Sequence, residues 1–68
     1  MFRKELLLGK LVEKGHTLGD LSDHLGINIT TLYRKMNSFV EFKRSEIQMI
    51  RNYLDLTSED VDRIFFAE

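Results

Sequence analysis

Residues 18–37 read Leu-Gly-Asp-Leu-Ser-Asp-His-Leu-Gly-Ile-Asn-Ile-Thr-Thr-Leu-Tyr-Arg-Lys-Met-Asn, and the way this stretch divides decides the fold. Leu18, Leu21 and Leu25 recur at helical spacing. Thr17 precedes them as an N-cap, and Asp20 lies in the first turn, where the helix dipole favours negative charge. Gly26 follows, a residue that accepts positive φ in a tight turn. Asn28 then caps a second helix whose apolar positions are Ile29, Leu32, Tyr33 and Met36. Two helices that cross steeply need a small residue where their backbones approach, and Ser22 supplies it. Leu21, Leu25, Ile27 and Leu32 provide the contacts that lock the pair. The spacing predicts a helix-turn-helix.

Outward from this unit the punctuation continues. Residues 2–14 place Leu7, Leu8, Leu11 and Val12 at helical intervals with charges between them, and Gly15 ends that helix. Ser38 to Arg44 form a loop. Ser45 is expected to open a fourth helix, with Gln48 completing a capping box and Ile47, Ile50 and Leu54 on one face. Thr57 with Asp60 repeats the device for a fifth helix, which turns Val61, Ile64 and Phe65 inward. No segment alternates with period two for long enough to form a strand. The expectation is an all-α single domain over residues 1–68, built of five short helices. Its core is predicted from Leu21, Leu25, Ile27, Leu32, Met36, Phe42, Ile47, Ile50, Leu54, Val61 and Ile64.

Composition excludes several classes of function. The 68 residues contain no cysteine and no proline, so disulfides, thiol chemistry and cysteine metal sites are absent. The longest apolar run is Leu6 to Leu8, which rules out a helical membrane span, and the N-terminus lacks a secretory apolar region. A cytoplasmic chain is expected. Charge is nearly balanced, with ten Lys and Arg against eleven Asp and Glu, yet it is segregated. Residues 1–26 are neutral. Residues 27–44 set Arg34, Lys35, Lys43 and Arg44 against Glu41, and residues 45–68 hold an excess of carboxylates. One face is therefore expected to be basic despite the net charge of −1. His16, His24, Asp20 and Asp23 are too scattered for a metal site and read as a helix surface. No nucleophile with a base and no glycine-rich phosphate loop is present, so neither catalysis, a cofactor nor a small-molecule substrate is expected.

At Leu18–Asn37 the chain resembles the phage repressor/Cro-type (XRE-like) DNA-binding family. The likeness extends to Leu7–Thr17 before the motif, and to Phe42–Ile47 and Leu54–Phe66 after it. The resemblance implies a lambda-repressor-like five-helix domain that binds a two-fold DNA operator as a homodimer, in association with the nucleoid. By position, Ile29, Thr30, Thr31 and Arg34 would face base edges. Thr17, Asn28, Tyr33, Lys35, Asn37, Lys43 and Arg44 would approach the backbone. Arg34 is the foremost reader, since a guanidinium can donate two hydrogen bonds to guanine. The chain departs from the family in three places. Leu18 stands where glutamine is common, Ile29 where a polar reader is common, and Ser38-Phe39-Val40 where glycine and polar residues are usual.

Those departures leave a second class open, a helical protein-interaction module or an accessory, antirepressor-like factor. Leu8, Phe39, Val40, Phe65 and Phe66 exceed what one small core needs, and adjacent Phe65 and Phe66 cannot both point inward. Phe39, Val40, Phe65 and Phe66 are the expected self-association or partner surface.

Overall fold

Thr17 and Thr57 begin helices by the same device: each hydroxyl accepts a backbone N–H three residues on, and the Asp at that position accepts the threonine N–H in return. The computed structural model describes residues 1–67 and is all-α. Its helices are α1 (Lys4–Glu13), α2 (Leu18–Leu25), α3 (Ile29–Met36), α4 (Arg44–Leu54) and α5 (Ser58–Val61), the last running into a wide π-helical turn, Asp62–Phe66. Among the described residues no helix is long and apolar enough to cross a membrane.

The first four helices all end in one way. A residue with positive φ closes each (Gly15, Gly26, Ser38 and Asp55). The next N–H then reaches back five residues: His16 to Leu11, Ile27 to Ser22, Phe39 to Arg34 and Leu56 to Arg51, at 2.8–3.1 Å. This is the Schellman closure, and it usually folds the following apolar side chain back onto its helix. Leu56 obeys, at 6% exposure, and so joins the core, which the helical spacing alone does not predict. Ile27 is half-buried against the core. Phe39 is the exception, at 80% exposure.

Leu7, Leu21, Leu32, Ile50 and Leu54 are completely buried, drawing one or more side chains from each of α1 to α4. Burying such a side chain contributes about 1.5–3 kcal/mol, which makes this cluster the main source of stability in so short a chain. Phe42 and Ile47, expected in the core, lie at its rim, as Leu8 does. Val12 points outward.

Three element boundaries differ from expectation. α1 starts at Lys4 rather than residue 2, because the Arg3 N–H donates to the Ile64 carbonyl at 2.7 Å and Phe2 joins an aromatic cluster with Phe42 and Phe65. α4 starts at Arg44, before Ser45. Its first turn is capped by the Glu46 carboxylate, which accepts the Lys43 N–H at 2.7 Å. An ionised acceptor makes the stronger bond there. Gln48, expected in that role, donates instead to Asn52 Oδ1. The fifth helix completes only one α-helical turn before widening.

Candidate nucleic-acid interface

The turn between α2 and α3 is made by Gly26, Ile27 and Asn28. Ser22 is buried beneath it, its hydroxyl donating to the Gly19 carbonyl at 2.9 Å, so the small side chain leaves no unpaired polar group. Asn28 Oδ1 accepts the Thr30 N–H at 2.8 Å and starts α3 as expected. Tyr53 of α4 braces α2 from both ends. The His16 and His24 rings stack on it with centroids 4.4 and 4.1 Å away, and its hydroxyl is 3.1 Å from His16 Nδ1. Asp20 Oδ2 lies 3.9 Å from that nitrogen. The Asp20 carboxyl is held below its ordinary range, chiefly by the Thr17 backbone N–H.

α3 is divided lengthwise. Leu32, Lys35 and Met36 are buried, whereas Thr30, Thr31, Tyr33 and Arg34 are exposed, with Asn37 just beyond the last turn. Ile29 is half-buried against the core and presents only part of its side chain outward. Thr17 and Asn28 are exposed, but each uses a side-chain oxygen on a cap. The Thr17 hydroxyl hydrogen and the Asn28 amide hydrogens remain available for donation. Lys43 and Arg44 are exposed where α4 begins.

Lys35 does not belong to this face. It is 4% exposed, and its ammonium donates to Glu46 Oε1 at 2.9 Å and to the Glu41 carbonyl at 3.4 Å. The expected phosphate contact is instead an internal tie between α3 and α4. The reason is its place on the helix, directly beside buried Met36 and three residues after buried Leu32.

Another lysine stands at the surface beside the end of α3. Lys4 of α1 donates from Nζ to Asn37 Oδ1 at 3.0 Å, across thirty-three positions of chain. The cations also sort by partner. Lys10 lies near Glu13 and Asp60, Lys35 pairs with Glu46, and Arg63 lies near Glu59. Arg3, Lys4, Lys14, Arg34, Lys43, Arg44 and Arg51 have no carboxylate within 4.0 Å among the described residues.

The expected self-association surface is partly corrected. Phe65 is buried, stacked on Phe2 at 5.6 Å and edge-on to Phe42 at 5.5 Å. Of the neighbouring pair it is the one that faces inward. Phe39, Val40 and Phe66 remain 80, 44 and 59% exposed. Val40 and Phe66 line an open groove of about 460 Å³ whose wall includes Phe42 and Phe65.

These features define the class of protein as a small all-α domain with a polar helix face at its surface. The chain belongs to the DUF739 family, described as a protein of unknown function, whose model matches residues 1–68. Comparison with the curated proteins and with solved structures found no significant match.

Proposed function

We propose that this chain is a sequence-specific double-stranded DNA-binding regulator of transcription, with α2 and α3 as a helix-turn-helix and α3 as the helix that enters the major groove. The observation that carries the reading is the division of α3: a core side of Leu32, Lys35 and Met36, and an outer side of Thr30, Thr31, Tyr33 and Arg34. A groove-reading helix needs that outer side free and polar, with its N-terminal residues at the base edges. Thr30, Thr31 and Arg34 read bases, and Ile29 offers a partial apolar contact to a thymine methyl. Thr17, Asn28, Tyr33, Asn37, Lys43 and Arg44 contact the sugar-phosphate backbone. The protein acts without catalysis or cofactor, in the cytoplasm at the nucleoid. As a repressor/Cro-like factor of phage or mobile-element type, it occupies a two-fold operator as a homodimer, with half-sites about 34–36 Å apart.

The test is selection of bound duplexes from a random library at near-physiological salt. An enriched inverted repeat with half-sites about 10 base pairs apart supports the reading in full. A single short site keeps DNA recognition and removes the dimer. No enrichment overturns it.

A second reading, a protein-interaction module, is favoured by Phe39. It follows Ser38, a non-glycine residue with φ of 64°, and it alone of the apolar residues after a helix closure is left uncovered. Loss of partner binding in Phe39→Ser, with DNA binding absent from the parent chain, would establish that reading.

A further inference from the structure

We infer that Lys4 is a phosphate-contacting residue of the DNA interface, which places the N-terminal end of α1 on the duplex beside the end of α3. This rests on the DNA-binding reading above and deepens it. Three observations carry it. Lys4 Nζ is anchored to Asn37 Oδ1 at 3.0 Å, so the charge is held at the residue that ends α3. An ammonium has three donors, and Asn37 takes one. Both residues are exposed, and Lys4 has no carboxylate partner within 4.0 Å among the described residues, in contrast to Lys10 on the same helix.

The burial of Lys35 gives the inference its weight. The surface around α3 loses the cation expected from its own sequence, because that ammonium is spent on Glu46. Lys4 returns a positive charge to the far end of the same helix. Asn37 fixes its direction, which lowers the entropy lost when the lysine meets a phosphate. Phosphate contacts position a protein without reading sequence, so the contribution of Lys4 is uniform across sites.

The experiment measures binding of a short fluorescent duplex of mixed sequence, and of any duplex recovered by selection, from about 50 to 200 mM salt. Lys4→Gln is expected to weaken both and to reduce the slope of log affinity against log salt by about 1. Lys4→Arg keeps the parent slope. Lys14→Gln, which removes an exposed cation from the opposite end of α1, also keeps it and controls for a general loss of charge. An unchanged slope in Lys4→Gln overturns the inference, as does an equal fall in Lys14→Gln. If Arg34→Ala loses sequence preference while Lys4→Gln changes nothing, only the Lys4 inference falls. If the parent chain binds no duplex, both fall. Thermal melting of each variant separates a folding defect from a lost contact, and Lys4→Arg must restore what Lys4→Gln removes.

Discussion

The ammonium of Lys35 lies 2.9 Å from Oε1 of Glu46, with the two residues 4 and 7% exposed. The same Glu46 oxygen accepts the Lys43 N–H, so a single carboxylate both caps α4 and holds it to α3. Removing one partner of a buried pair leaves the other charge unsatisfied, at a cost of about 3–5 kcal/mol. Glu46→Ala is therefore expected to be among the most destabilising substitutions in the chain, measurable by urea unfolding. Lys35→Met combined with Glu46→Gln should cost less than the sum of the two single changes, because neither charge is then stranded. Additive costs would show that the pair is not coupled.

Lys35 and Arg34 are neighbours with opposite expectations. Arg34→Ala should leave the melting temperature nearly unchanged and reduce affinity for a selected duplex by about 1–3 kcal/mol, with preference lost at one base position. Lys35→Met should lower the melting temperature without changing the salt slope of DNA binding. The opposite pattern would return Lys35 to the proposed DNA surface.

Two glycines should respond with opposite signs. Gly9 lies within α1 at an ordinary helical φ with open space where a Cβ would stand. Gly9→Ala is expected to stabilise by about 0.4–1 kcal/mol. Gly26 also has open space, but its φ is 69°. Gly26→Ala should destabilise by about 1–2 kcal/mol through backbone strain alone. Chemical denaturation of both variants measures the difference directly.

Asp20 and Asp60 set an acid limit. Both carboxyls titrate below the ordinary aspartate value of 3.8, first because the backbone N–H of Thr17 or Thr57 bonds the ionised form. A depressed folded value means that the stabilisation is complete above the ordinary value and is lost as pH falls through the lower, folded one. Melting temperature should fall with acidification below about pH 4. Asp20→Asn combined with Asp60→Asn should flatten that fall while lowering stability at neutral pH. An acid profile identical to that of the parent would exclude these caps as its source.

Tyr53 should couple α4 to α2. Tyr53→Ala removes both histidine stacks and the bond to His16, and aromatic pairs contribute about 0.5–1.5 kcal/mol each. Tyr53→Phe keeps the stacks and loses only the hydroxyl, so it should recover most of the stability. Equal losses in the two variants would place the effect in the hydrogen bond alone.

Whatever depends on neighbours in the chain was legible in the residues themselves. Thr17, Asn28 and Thr57 cap helices because their side chains reach backbone N–H groups two or three residues away. Gly15 and Gly26 end helices because positive φ costs them nothing. Helical spacing was enough to place Leu21, Leu32, Ile50 and Leu54 inside. What depends on distant partners was settled by packing. Lys35 turns inward because Glu46 comes from another helix, and Lys4 reaches Asn37 across the fold. A lysine on a solvated face and one in a buried ion pair have the same local sequence signature. They differ in whether a carboxylate is waiting on the neighbouring helix, and packing alone supplies that.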